Sequence, residues 1–518
     1  MSSPLAEDAS DAARRLHAEG RFLQAAELWA ALARDRPGAP EPVIAQTAAL
    51  VLAHRAHEAL DVIAEALPQS EDKAALWTRA GLIHRHLIQP QLARAAFEQA
   101  LEVDPGYPAA LTELGELDFE VLNFDSARTR MHQALARLPA VRRAAVHQSL
   151  GETQAALAEG ARAVAADPGD PTPHVHMGRA LLMAGRLIDA ASAFSQALQL
   201  DPTRGDALFG LGECRIHLGD APEGWRTFER TVTTGVMASL PAEMRLPLDR
   251  YWRGDPAPGK RLLIVNFLGL GDNIMAVRYA QVFTAFGAEV TWCCPPPLHR
   301  LLAAAEGVAA VASLNQGLAL DEFDHWSLDY LLPGRLGAAF GRIPAWEEGY
   351  LSAPAPAVRA RSQPGRLRVG LCWSSGGQHF TGHARFLAPE DLRPLAELKG
   401  VEWVVVQKTP ANAEIAARSG LDITDPTPLW SDFQDAAQAM SELDLVISIC
   451  SAPLHLAGAL GKEVWGLICA APDWRWGRTS PTSPWYPRLR LFRQEKLYDW
   501  SGVVGEVKAA LAQRLEGS

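Results

Sequence analysis

Hydrophobic patterning divides this chain into two textures. Over roughly the first 230 residues, apolar positions recur three and four apart in long stretches punctuated by proline, the period of amphipathic helices. From Lys260 the period gives way to short apolar runs at Arg261–Phe267, Glu289–Cys294, Arg368–Trp373, Glu402–Gln407, Leu443–Ile449 and Glu463–Ile468. Such runs read as strands, and strands alternating with helical stretches predict parallel sheets. The nearest thing to a membrane span, Leu445–Gly461, is interrupted by Pro453 and His455 and bounded by Asp444 and Lys462. It is too short and polar to span, and predicts a buried strand running into a buried helix.

The prolines of the first half keep time. Pro37, Pro68, Pro105, Pro139, Pro168 and Pro202 stand 31, 37, 34, 29 and 34 residues apart. The phrase Ala96-Phe97-Glu98-Gln99-Ala100-Leu101-Glu102-Val103-Asp104-Pro105 returns as Ala193-Phe194-Ser195-Gln196-Ala197-Leu198-Gln199-Leu200-Asp201-Pro202. Gly178, Gly185, Gly212 and Gly219 supply small residues where paired helices approach. A period near 34 with helix–turn–helix content resembles the tetratricopeptide repeat. One helix pair cannot bury its apolar face alone, so pairs stack into a superhelix with a concave groove. That groove predicts either recruitment of an extended peptide or a scaffold.

The expected organisation is a disordered start over 1–11, helical repeats over 12–232 and a linker over 233–259. A first α/β domain over 260–352 follows, then a proline-rich linker over 353–365 and a second α/β domain over 366–518. Repeats and sheets are expected to be independent folds. At 518 residues the chain is too long for one core. Its net charge of −11 argues against tight nucleic-acid binding and gives no electrostatic pull toward anionic lipid. The start, Met1-Ser2-Ser3-Pro4-Leu5-Ala6-Glu7-Asp8, has neither the basic nor the apolar stretch of a secretory leader. Cys214, Cys293, Cys294, Cys372, Cys450 and Cys469 form no C-x-x-C pair, which excludes common zinc spacings and points to a reducing, cytoplasmic setting.

Candidate chemistry sits at the turns after the strands. In Gly269-Leu270-Gly271-Asp272-Asn273, Asp272 stands at a helix start, either as a general base on a cleft or as an N-cap. After the strand ending at Trp373, the loop Ser374-Ser375-Gly376 can present backbone N–H groups to an anion. Arg385 and Lys408 supply cations after strands. Ser451-Ala452-Pro453-Leu454-His455 opens a helix whose free N–H groups suit a phosphate, with a capped buried helix as the bland alternative. His455 reads equally well as a packed core histidine.

These segments together resemble a GT-B glycosyltransferase of the heptosyltransferase-like group, in the version fused behind tetratricopeptide repeats in bacteria. The matching residues are Gly269-Leu270-Gly271-Asp272, Gly370–His379, Gln407-Lys408, Ser451–Gly461, Ala471-Pro472-Asp473-Trp474-Arg475-Trp476 and Ser483-Pro484-Trp485-Tyr486-Pro487. The resemblance covers roughly residues 250–505, and the Trp-rich tail is its most specific part. It implies a multidomain chain: an all-α repeat superhelix, then an α/β GT-B fold of two Rossmann-like domains facing a cleft. It further implies inverting transfer from a nucleotide sugar, with no cofactor and no metal. Asp272 is then the base, with Gly269, Gly271 and Asn273 on the acceptor side. Ser374, Ser375, Gly376, Arg385, Lys408, Ser451, Ala452, Pro453, Leu454 and His455 fall on the donor side. The expected acceptor is a Ser or Thr hydroxyl of a protein held by the repeats, flagellin among the candidates. Alternatives are a non-catalytic adaptor with a decayed transferase half, or transfer to a lipid-linked or oligosaccharide acceptor. Two departures stand out: Cys450-Ser451 replaces the family's usual Asp-Thr, and the arginine-rich run is thinned to Thr381-Gly382-His383-Ala384-Arg385.

Overall fold

The computed structural model describes residues 4–232, 234, 246–255, 257–313, 318–337, 343, 346–353, 366–375, 382–409 and 412–516. The timing prolines all sit in the turns between helix pairs; Pro105 and Pro202 follow helices ending at Val103 and Leu200. Within a pair, a glycine on the first helix admits a phenylalanine from the second. A Cβ on Gly178 would stand 2.7 Å from Phe194, and one on Gly212 would stand 2.6 Å from Phe228. Both phenylalanines are fully buried, which makes the glycine–phenylalanine lock the repeat's core unit. The start is helical from Pro4 to Ala18, where the sequence predicts disorder.

The second half forms two all-parallel sheets. The first contains β1 (Arg261–Val265), β2 (Glu289–Cys293), β3 (Ala310–Ala312) and β4 (His325–Leu328) in the order β3-β2-β1-β4. The second contains β5 (Leu367–Cys372), β6 (Val401–Val405), β7 (Ile423–Thr424), β8 (Leu445–Ile449), β9 (Val464–Ile468) and β10 (Leu489–Arg493). Its order, β10-β9-β8-β5-β6-β7, is that of a doubly wound dinucleotide-binding sheet. Each sheet reverses direction beside its first strand, between β1 and β4 and between β5 and β8. Ligands of such sheets bind outside the carboxyl ends of the strands at these reversals. Every residue of β8 and β9 is buried, matching their unbroken apolar runs.

The chain divides into two compact units, but not at residue 232. One holds residues 1–146, and the other joins residues 147–235 to 246–518. Within the second unit, Thr231 Oγ1 and Tyr330 Oη share a hydrogen bond of 2.6 Å, and Glu229 pairs with Arg335. Tyr498 Oη donates to the carbonyl of Ser149 at 2.7 Å. The repeats from residue 147 onward therefore pack on the sheets. The later repeats have apolar and polar partners on the sheets, which local periodicity does not register. Of the expected linkers, 248–251 belongs to the sheet half, where Tyr251 bridges Trp326. Residues 354–365 lie outside the described residues.

Candidate active site

Asp272 lies in the first turn of the helix Leu270–Ala276, just beyond β1. Its Oδ2 accepts the N–H of Gly269 at 2.8 Å; Gly269 is the N-cap, and Asp272, expected as the cap itself, is the third helical residue that closes the capping box. Its Oδ1 pairs with Nη2 of Arg475, whose Nη1 reaches both carboxylate oxygens of Asp473 at 2.7 Å. The Asp272 side chain keeps 19% of its exposure while that of Arg475 keeps 6%. Burial pushes the Asp272 carboxyl above its ordinary range, even with the Arg475 guanidinium against it. Burial works against the charge of Arg475, but Asp272 and Asp473 more than offset it and hold the guanidinium protonated. Capping-box partner and base are therefore compatible roles: one oxygen fixes the turn, while the other carries the titratable pair.

Gly271 marks where the two sheet domains meet. A Cβ there would stand 2.8 Å from His455 Cδ2 and 3.3 Å from Ala452 Cα. The helix after β1 thus rests on the first turn of the helix Ala452–Ala459, with no side chain between them. His455 is buried; its Nδ1 lies 2.8 Å from Tyr486 Oη and its ring 5.4 Å from that of Trp476. Burial, reinforced by nearby Arg475, pushes the imidazole down to about 3, so it is a neutral packing residue. Leu454 is likewise buried, while Ala452 and Pro453 are partly open.

The donor-side residues are distributed unevenly. Ser451 caps the helix by position only; its hydroxyl turns back to Ser448 at 3.2 Å and Cys372 at 3.3 Å. Arg385 Nη1 donates to the carbonyl of Cys450 at 3.0 Å, and its buried Nε has no partner among the described residues. Cys450 accepts the indole N–H of Trp476 at 2.9 Å. Ser374 is buried, and its N–H and that of Trp373 are both taken by the Gln407 carboxamide, at 3.0 and 2.7 Å. Ser375 follows, half-buried, and Gly376 lies outside the described residues. Lys408 is exposed and donates to the carbonyl of Trp430. On the other side, Asn273 is wholly buried and accepts the Trp292 indole N–H at 2.9 Å. Asp272, Gly271, Arg385, Ser451 and the Ala452–His455 turn thus share one locality. Asn273 and Ser374 are spent on the cores of their own domains.

Three residues without a sequence-assigned role belong to this locality. Arg475 and Asp473 lie in the tail motif, whose charged residues flank Trp474 as the only visible signal. Asp329, just beyond β4, accepts from Asn266 Nδ2 at 3.0 Å and Tyr330 N at 2.8 Å. Burial pushes its carboxyl up to about 7, with the Asn266 hydrogen bond opposing and Asp272 adding. No local pattern marks it, because a lone Asp after a short strand reads as a turn residue. Among the described residues no cluster of three His, Cys, Asp or Glu can hold a metal ion. No described helix is long and apolar enough to cross a membrane.

Residues 181–231 match the tetratricopeptide repeat model. Protein FlbA of Caulobacter vibrioides is 26% identical over 516 residues, covering 94% of this chain and 75% of that one. A tetratricopeptide repeat protein from Parabacteroides merdae shares 14% identity, covering 44% of this chain and 93% of that one with a TM-score of 0.33. PilW, a widely conserved type IV pilus biogenesis factor, shares 20% identity over 36% of this chain and 86% of its own, with a TM-score of 0.29.

Proposed function

We propose that this chain is an inverting glycosyltransferase that moves a sugar from a nucleotide-sugar donor to a Ser or Thr hydroxyl of a protein recruited by the repeats, flagellin among the candidates. The observation that carries the reading is the pairing of two switch points. Asp272 stands at the reversal of the first sheet. Arg385 and the Ala452–Ala459 helix stand at the reversal of the second, and the Asp473–Trp476 loop touches both through Arg475 and Trp476. This also agrees with the resemblance stated above.

In this mechanism Asp272 takes the acceptor proton as the oxygen attacks the anomeric carbon. The bond to the leaving phosphate breaks on the opposite face, which inverts the configuration. The elevated proton affinity of the buried carboxyl suits a base working near neutral pH. The Ala452 N–H at the start of the Ala452–Ala459 helix and the guanidinium of Arg385 meet the charge growing on the phosphate. Pro453 has no N–H, and those of Leu454 and His455 already donate to the Ser451 carbonyl. Repeat binding raises the local concentration of the acceptor. No metal is required, as the resemblance implies.

A second reading, an adaptor with a decayed transferase half, is favoured by one set of contacts. The Ser374 amide is consumed by Gln407, the Ser451 hydroxyl by Ser448 and Cys372, and the family's carboxylate is Cys450. Calorimetric titration of the full chain with nucleoside diphosphates of every base separates the two. A transferase binds at least one, and Arg385→Ala weakens it by about 1.5–3 kcal/mol, the worth of a charged hydrogen bond. Absence of binding to any nucleotide supports the adaptor.

A further inference from the structure

The last repeat reaches the loop that carries Arg475. Glu213, on the helix Gly205–His217, is 2% exposed, and its Oε2 has no hydrogen-bond partner among the described residues. Its carboxyl accepts the N–H of Trp474 and faces Asp473, Arg475 and Arg478. From its own helix it faces Cys214 and His217, the latter at 3.9 Å. His217 Nε2 lies 3.2 Å from the carbonyl of Pro472, so a second repeat side chain holds the same loop. Burial pushes the His217 imidazole down, which disfavours its charged form. Glu213 thus adds a third carboxyl beside a loop whose Arg475 already serves Asp272 and Asp473, while Arg478 faces Glu213 alone of the three. The Nη groups of Arg475 are spent on Asp272 and Asp473. Arg478 is turned to the carbonyl of Ala470, and among the described residues neither arginine makes a close ion pair with Glu213, so an anion there would be buried without a direct partner, which is costly.

We infer that Glu213 is a positioning residue: as a neutral carboxylic acid it anchors the Asp473–Arg478 loop, so that Arg475 stays on Asp272. The role rests on the reading of Asp272 as the base. It makes the terminal repeat a wall of the site as well as a recruitment arm. Burial pushes the Glu213 carboxyl up to about 8, with Asp473 adding and Arg475 opposing. Its ionisation sets an anion beside Asp473, repels the loop and disturbs the pair on Asp272.

The test compares the full chain with Glu213→Gln, which keeps an acceptor for the Trp474 N–H and never ionises. The first readout is melting against pH and needs no substrate. A carboxyl whose folded pKa is raised contributes stability that is present at low pH and lost as pH rises. The wild type therefore loses stability from about pH 4.3, the ordinary glutamate value, up to about 8. The variant lacks this loss, so its melting temperature relative to wild type rises over that window and then levels. A difference independent of pH overturns the proposal, as does a variant that fails to fold at neutral pH. The second readout is transfer to a protein acceptor. Wild-type rate falls about tenfold per pH unit above the transition while the variant's does not; parallel declines overturn the positioning role. A wild type that transfers nothing at any pH sinks the transferase reading instead, and melting still decides the state of Glu213.

Discussion

Trp225, on the last helix of the repeats, stands edge-on to Trp474, with ring centroids 4.9 Å apart and planes at 84°. The Arg475 guanidinium lies over Trp474 at 4.3 Å, so one aromatic contact separates the repeats from the partner of Asp272. A Cβ on Gly334 would meet the Trp225 ring at 2.4 Å, which places the indole against the first sheet domain as well.

Trp225→Ala is expected to destabilise the chain by at least the ~0.5–1.5 kcal/mol of an aromatic pair, with further loss from buried area. Urea unfolding followed by circular dichroism measures it. The same contacts predict that a fragment starting at 246 melts without cooperativity, whereas one starting at 147 melts as a unit. Cooperative melting of the shorter fragment would show that the later repeats are dispensable for the fold.

Gly271→Ala tests the junction of the two sheet domains. The added methyl would meet His455 and the backbone of Ala452, and backbone cannot yield cheaply. Overpacking of this kind costs about 1–3 kcal/mol. Nucleotide titration should also weaken, because the turn proposed to face the donor phosphate is pushed away. A variant with wild-type melting and binding means the domains open without cost.

Arg278 is 1% exposed and donates to the carbonyls of Met275 and Trp485 and to the hydroxyl of Tyr350. The rings of Tyr350 and Tyr486 flank it at 4.6 and 4.9 Å. It joins the first sheet domain to the tail of the second. Arg278→Ala leaves a cavity and unpaired carbonyls, and is expected to cost on the order of 3–5 kcal/mol in equilibrium unfolding. Arg278→Lys should recover little, since an ammonium cannot match the planar fork.

Much of this architecture was legible in the chain. Proline timing marked the turns between helix pairs, and the unbroken apolar runs marked β1, β2, β5, β6, β8 and β9. The strands that escaped notice are short or polar. In β10, Arg490 and Arg493 interrupt Leu489, Leu491 and Phe492 at a sheet edge; in β4, His325 and Ser327 alternate with Trp326 and Leu328. Of the site, the turn at Asp272 and the helix at Ser451 could be found locally, because a strand, a small-residue turn and a helix occur in sequence. Arg475 and Glu213 could not, because their partners lie far away along the chain. Asn273 shows the converse: its neighbour pairs with Arg475, but one residue further round the helix faces the core.

Acid should unfold the protein partly through His455. Its folded pKa is depressed from the usual value to about 3 by burial, so its contribution to stability is present above about pH 6.5 and is lost as pH falls toward about 3. His455→Gln, which does not take up a proton in this range, should flatten the acid limb of the melting profile. An unchanged acid limb would place the acid sensitivity elsewhere.

The most direct test is the rate of sugar transfer by Asp272→Asn. The amide can still accept the Gly269 N–H, but it abolishes the buried ion pair with Arg475, so folding and nucleotide binding are checked first. With both retained, intact-mass analysis follows addition of sugar to a protein acceptor by wild type and variant under identical conditions. Loss of the general base predicts a rate lower by about 10²–10⁴-fold. A wild-type rate in the folded, nucleotide-binding variant would contradict the assignment and leave Asp272 as the capping-box partner of Gly269.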